Sequence, residues 1–304
     1  MTTPVWFWVA FNLFVAVIMV IDLKFVHKKA RILSMREAAL WSGFCVFLAL
    51  LFNSGILFFM GREKALQFLT GYLIEESLSV DNLFVFLMIF KYFGVPEIYQ
   101  PRVLNWGILG AIVMRFIFIF AGAALLEAFH WIMYVFGAML IYTGVKMVFE
   151  EEKKLEPEKN LALRFFRKVM PVADRGFVDN QFFLKMNGTL YATPLFIVLV
   201  MIESSDLVFA MDSIPAIFSI TRDPFIVYTS NIFAILGLRA LYFLLSSIMP
   251  LFIHLKTGIS IVLGFIGLKM VLMDVYKIST GVSLAVVGAV LGTSILMSVV
   301  LKKK

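Results

Sequence analysis

The chain has 304 residues, 62% of them hydrophobic and 15% charged, with a mean hydropathy of +0.95 and a formal charge of +7. A soluble domain holds roughly 45–50% apolar and about 25% charged residues, so a water-soluble globule is excluded. The single cysteine, Cys45, excludes an internal disulfide framework and a thiolate cluster for a soft metal.

Crossing the ~30 Å hydrocarbon core of a bilayer takes about 20 mostly apolar residues. That rule predicts an all-α polytopic bundle of nine spans, over roughly 4–26, 36–60, 65–90, 103–127, 131–149, 190–219, 225–249, 252–273 and 281–301. The first run is too long for a signal-peptide core and has no basic region before it, so it reads as a transmembrane helix. Lys and Arg are shared unequally between the connections. Nineteen lie on one side, in the loops after the first, third, fifth and seventh spans and at the C-terminus, against Arg62, Lys64, Arg222 and Lys277 on the other. The rule that basic loops stay inside puts the N-terminus outside and the C-terminus in the cytoplasm. The positive charge is thus a topology signal, and no nucleic-acid partner is expected. The 150–189 connection mixes eight bases with seven acids and reads as a solvated, partly helical cytoplasmic linker.

The two halves repeat. SVDNLFVF around Asp81 answers AMDSIPAIF around Asp212, and Glu75 answers Asp206, both pairs 131 residues apart (212 against 81, 206 against 75). Further along, Arg115 answers Arg239 at an offset of 124, and GVKMV at 144–148 answers GLKMV at 267–271 at an offset of 123. Each copy covers three spans, an odd number, so the second copy enters the membrane from the opposite side. The implied organisation is two N-terminal helices (1–64), a first repeat (65–149), the linker (150–189), an inverted second repeat (190–274) and a C-terminal helix (275–304). Inverted repeats are a recurrent transporter architecture, with the site near the midplane between the copies.

The third span carries Glu75, Glu76, Ser77, Ser79, Asp81 and Asn82; the sixth carries Glu203, Ser204, Ser205, Asp206, Asp212 and Ser213. A carboxylate at mid-membrane costs about 2.5–3.5 kcal/mol on insertion scales, so these acids must face a cavity, pair with cations or hold protons. Glu75, Ser79 and Asn82 share one helix face, as do Glu203 and Asp206. Pro215 is expected to kink or break the sixth helix, which would let Asp206 and Asp212 converge. Arg115 and Arg239 also fall inside spans and either pair structurally with the acids or gate them; two guanidinium groups cannot balance six carboxylates. Lys146 and Lys269 snorkel to the interfaces. Asp22 and Asn53 would line an inner vestibule or bond between helices. His27, His130 and His254 fall at span ends. Gly71, Gly110, Gly137 and Gly144 permit close helix contact. All the donors in the two clusters are oxygens, which suits magnesium, calcium and manganese rather than zinc or copper.

GYLIEESLSVDNLFVF at 71–86 and LVMIESSDLVFAMDSIPAIF at 199–218, with TSNIFAILGLRALYF at 229–243, resemble the signature segments of the TerC/Alx integral membrane family over nearly the whole chain. The family belongs to a superfamily with lysine and divalent-cation exporters. The resemblance implies export of Mn²⁺ across the bacterial inner membrane, with Glu75, Asp81, Asn82, Glu203, Asp206 and Asp212 forming the metal path. Ser79, Ser205, Ser213, Arg115 and Arg239 stand as supporting or gating residues. Mn²⁺ or Ca²⁺ is then cargo, no permanent cofactor is expected, and protons are the candidate coupling ion. Two other classes remain: a non-transporting assembly or stress-resistance factor that docks through 150–189, and an intramembrane aspartyl protease. The second lacks a GxGD motif, having LSVD and FAMD before its aspartates.

Overall fold

The computed structural model describes residues 4–25, 34–129, 131–149, 163–166, 170–173, 177, 181–186, 188–248, 255–276 and 278–301, without the side chains of 22–25, 81, 247–248, 255–256 and 299–301. Nine long helices lie among them: α1 (Val5–Phe25), α2 (Met35–Met60), α3 (Arg62–Phe93), α4 (Gln100–Ala128), α5 (Ile132–Phe149), α6 (Pro194–Phe218), α7 (Pro224–Ile248), α8 (Leu255–Val271) and α9 (Thr280–Leu301). Six of these, α2, α4, α5, α6, α7 and α9, are long and apolar enough to cross a membrane. All nine helices fall at the nine expected spans, and six of them meet a strict length and hydropathy criterion among the described residues. α1 is apolar over Val5–Ile21 and α8 over Thr257–Val271 among the residues whose side chains are described. The 32 residues of α3 hold too many charges, among them Glu63, Lys64, Glu75 and Glu76.

Local chemistry sets the helix ends. Ser34 and Glu37 form a reciprocal capping box at the start of α2. Gly94, in the left-handed conformation at φ 64°, closes α3 and returns its N–H to the carbonyls of Phe90 and Lys91. Thr193 caps α6 by accepting from the Phe196 N–H at 3.3 Å, and Pro194 occupies the first turn, where its missing N–H costs nothing. This cap corrects the expected start of the sixth span at 190. Residues 183–192 instead form an antiparallel hairpin, β1 (Phe183–Met186) and β2 (Thr189–Ala192), turning at Gly188 with φ 81°. The expected partly helical linker therefore contains strand as well as the short helical turn at 163–166; its residues 150–162 lie outside the described ones.

Burial sorts the helices into inner and outer. The apolar stretch of α7 is 89% buried, whereas that of α2 is 17% buried. Large apolar side chains such as Leu40, Phe47, Phe58, Val113 and Ile117 stand exposed on the outer helices. Such surface is stable facing hydrocarbon and unstable facing water. Around α7 pack α2, α3 and α4; α3 and α4 each also pack on α6, and α9 lies on α3 and α8. Asn12 on α1 accepts a 2.8 Å hydrogen bond from the Tyr228 hydroxyl on α7.

The closest pair is α5 and α8, where glycines remove side-chain bulk from both faces. A Cβ at Gly137 would sit 2.9 Å from the Gly267 carbonyl oxygen, and one at Gly267 would sit 2.6 Å from the Gly137 carbonyl oxygen. At Gly144 it would sit 2.8 Å from the Ser260 carbonyl oxygen. Backbone cannot yield as a flexible side chain does. Gly137→Ala and Gly267→Ala should each lower stability by about 1–3 kcal/mol. Gly43→Ala, which meets nothing within 4 Å, should not. Thermal unfolding of the purified variants in one detergent compares them, and equal melting points for all three would contradict this packing.

Candidate functional site

The acids of α3 and α6 meet where these two helices pack against each other, with α4 packed on α6. Glu75 is 0% exposed, Asp206 3% and Arg115 0%. The Arg115 guanidinium from α4 lies between the two acids. Its Nη1 donates to Glu75 Oε1 and, at 3.2 Å, to Ser213 Oγ, while Nη2 donates to Asp206 Oδ1 at 3.3 Å. One cation thus ties α3 to α6 and faces two carboxyl groups.

Oxygens of the pair and of the same face of α3 lack a hydrogen-bond partner among the described residues. Glu75 Oε2, Asp206 Oδ2, Ser79 Oγ and Asn82 Oδ1 are all buried and make no hydrogen bond among the described residues. Ser79 and Asn82 follow Glu75 at i+4 and i+7, and both are buried, so the helix face read from sequence is an inward one. Buried polar atoms are nearly always paired with protein, water or an ion. An all-oxygen set of carboxylate, hydroxyl and amide is one that a hard divalent cation accepts.

Other expected members lie elsewhere. α6 runs unbroken through Pro215 to Phe218, which corrects the expected break. Pro215 stands only one turn from the helix end, so little helix beyond it is disturbed. Without a break, Asp212 stays six residues along from Asp206 on another face. There it accepts a 3.1 Å hydrogen bond from Thr143 Oγ1 of α5, with Lys146 close by. The structure therefore does not bring Asp212 to the Glu75–Asp206 pair. Glu203 is half-buried against α4 at Gly110, where an added Cβ would run into its carboxylate. Ser205 Oγ donates to the Met201 carbonyl at 2.8 Å. Glu76 turns to the Tyr72 hydroxyl. Arg239, 1% exposed, donates from Nη1 to Asn105 Oδ1 of α4 at 2.5 Å. Asn53 is half-buried on α2, and its Oδ1 makes no hydrogen bond among the described residues. The side chains of Asp22 and Asp81, and the histidines 27, 130 and 254, lie outside the described residues. Among those described, no three His, Cys, Asp or Glu side chains converge on one point.

A cavity of about 1240 Å³ opens at the end of the bundle where α3 begins and α6 finishes. Lys64, Gln67, Phe116, Phe120, Phe218 and Thr221 are among its walls. Lys64 is held there by Asp223 at 2.8 Å.

A helical bundle with outward apolar faces and an ionised polar centre defines a multi-pass integral membrane protein. Residues 60–304 match the Integral membrane protein TerC family. The chain belongs to that family. It is 48% identical over 293 residues to the "Uncharacterized membrane protein STKORF319" of Myxococcus xanthus, covering 96% of this chain and 92% of that one. It is 49% identical over 294 residues to a protein of Escherichia coli K12 named "Putative membrane-bound redox modulator Alx", covering 93% and 91%. An "Uncharacterized membrane protein" of Rickettsia felis is 41% identical over 295 residues, covering 97% and 98%. No solved structure matches the chain.

Asn105 and Thr143 are the polar partners that sequence reasoning passed over. Each is an uncharged polar residue within an apolar span, and each bonds a charged side chain of the other half. An isolated amide or hydroxyl in a span that must pack against ionised helices was the available signal.

Proposed function

We propose that the protein is a secondary transporter that exports a hard divalent cation, Mn²⁺ first and Ca²⁺ as the alternative, from the cytoplasm across the inner membrane. The observation that carries this reading is the buried acid pair drawn from α3 and α6, whose oxygens Glu75 Oε2 and Asp206 Oδ2, like Ser79 Oγ and Asn82 Oδ1 on the same face of α3, make no hydrogen bond among the described residues. In this reading the ion passes between Glu75 and Asp206, with Ser79 and Asn82 as further donors; Asp81, Glu203 and Asp212 lie along the path toward that centre. Protons are the proposed counter-ion. No dithiol couple can form within one chain that has a single cysteine.

In this reading the nine apolar helices all span the bilayer, and the basic loops put the N-terminus outside and the C-terminus in the cytoplasm. The helix contacts support an inverted repeat of α3–α5 and α6–α8. An offset of 123 carries Gly137 to Ser260 and Gly144 to Gly267 (137 to 260, 144 to 267). The observed contacts are Gly137 with Gly267 and Gly144 with Ser260. Each is the image of the other, as a two-fold between the copies requires. Likewise the packing of α3 on α7 is the image of α6 on α4, and both are present.

The test is cellular manganese, measured by elemental analysis in a strain lacking its own exporters. Expression of the protein should lower manganese loading and restore growth in added Mn²⁺. Unchanged metal content with the protein in the membrane would end the proposal.

A further inference from the structure

The cavity at the end of the bundle carries charge that the carboxylate pair does not use. Three basic side chains, Lys64, Arg222 and Lys269, stand among its described walls against one acid, Asp223. They come from the start of α3, the α6–α7 connection and the last turn of α8, so all four gather at one rim. Asp223 is engaged by Lys64 at 2.8 Å and also accepts from the Phe225 N–H at 3.0 Å. Lys269 is half-buried, and its described partner is the neutral Ser283 hydroxyl of α9 at 3.0 Å. A cation partly withdrawn from water without a carboxylate is costly, and an anion beside it removes that cost.

Beyond the rim the walls are apolar. The inner end beside Gln67, Ile220 and Thr221 is buried, but Val9 and Leu13 of α1 and Phe116 and Phe120 of α4 line the cavity and stand exposed. The cleft therefore reaches the lateral surface of the bundle on the side of α1 and α4, which meet at Trp8 and Phe120 with 5.2 Å between ring centroids. Lateral surface of a membrane bundle faces hydrocarbon rather than water. At about 1240 Å³ the space exceeds the roughly 300–1,000 Å³ usual for pockets that hold compact ligands.

We infer that this cavity is a binding site for one anionic phospholipid, with the headgroup phosphate at Lys269 and its neighbouring rim cations and an acyl chain against α1 and α4. Other occupants satisfy only half of the site. Hydrocarbon chains alone would fill the apolar part and leave Lys269 without a counter-charge. A small inorganic anion would do the opposite. A zwitterionic lipid brings its own cation to a rim where basic groups already outnumber acids. A headgroup of net negative charge on acyl chains meets both demands, and basic recesses between membrane helices are a recurrent way of holding such headgroups. The site stands apart from the transport reading; only the leaflet, the outer one, follows from the orientation proposed above.

The experiment places the full chain in phosphatidylcholine liposomes with Trp8 as its sole tryptophan, the other four replaced by Phe. Phosphatidylglycerol or phosphatidylcholine, brominated near the top of its acyl chains, is added at the same small fraction to quench Trp8 fluorescence. The brominated phosphatidylglycerol should act with an apparent affinity about tenfold above that of brominated phosphatidylcholine. Lys269→Gln should lower that preference about fivefold, and Lys269→Arg should keep it. Arg62→Gln removes an exposed cation at the same end but outside the cavity walls, and should leave the preference unchanged. Glycerol phosphate, a headgroup without acyl chains, should not relieve the quenching at millimolar concentration. Equal quenching by the two brominated lipids would overturn the site, and this comparison needs no cavity variant to fold. A preference undiminished in folded Lys269→Gln, or lost as fully in Arg62→Gln, would reduce it to general surface charge. Relief by glycerol phosphate would assign the rim to a small anion and end the lipid assignment.

Discussion

Replacing Arg115 with Gln should destabilise the protein by about 3–5 kcal/mol, the usual cost of removing one partner from a buried ion pair. Most of that cost comes from the carboxylate charge that stays behind in the bundle. Glu75 and Asp206 are 0% and 3% exposed, and neither can turn to water when the guanidinium goes. Both would have to take up protons or draw water into the bundle. Arg115→Lys should fall between parent and Arg115→Gln, because an ammonium keeps the charge but cannot span both acids with one planar fork. Glu75→Gln with Asp206→Asn should restore much of the stability lost in Arg115→Gln, since no uncompensated charge then remains. Thermal unfolding of the purified variants in one detergent orders the series. If Arg115→Gln melts with the parent, or if neutralising the acids does not recover it, the buried triad is not what holds α3, α4 and α6 together.

The helices were legible because the hydrocarbon thickness and the rise of an α-helix fix a length that this chain meets repeatedly. The hairpin at 183–192 was not. Leu190, Tyr191 and Ala192 run into the apolar sequence of α6 and read as part of it, although Thr193 and Pro194 are a start signal of the kind that ends such a run. The inward face of α3 was readable from Glu75, Ser79 and Asn82 because spacing alone sets it. Where Asp212 goes was not readable. Its spacing from Asp206 points the two to different faces, and only a broken helix would have reconciled them. The weight given to Pro215 ignored its place in the last turns, where few hydrogen bonds follow. Which acids Arg115 meets depends on how far α4 is rotated and shifted against α3 and α6. Packing between helices decides that, and the pattern within one helix does not record it. The same holds for Arg239, which carries the same motif as Arg115 and whose Nη1 donates to Asn105.

Two-acid chemistry at the centre makes a graded prediction for transport. Glu75→Gln and Asp206→Asn should each reduce Mn²⁺ efflux about 100-fold, and Asp212→Asn by much less. A hydrogen bond or ion contact to a charged group is worth about 1.5–3 kcal/mol, and every 1.4 kcal/mol is tenfold in affinity. Losing one of two carboxylates from an oxygen-only site in a poorly solvated centre therefore costs about two powers of ten. Asp212 accepts from Thr143 Oγ1 and lies near Lys146, away from the pair, so its charge acts on the ion's approach rather than on its central binding. The single substitutions at the pair leave Arg115 with one carboxylate, which keeps the guanidinium compensated and the fold intact. Efflux is followed in everted membrane vesicles, normalised to protein that elutes as a single species in detergent. Equilibrium Mn²⁺ binding on the same preparations separates lost affinity from lost movement. Efflux in folded Asp206→Asn within threefold of the parent, or a loss in Asp212→Asn as deep as in Asp206→Asn, would move the central site away from the α3–α6 contact. The path would then follow the α5 face of α6, where Thr143 and Lys146 stand.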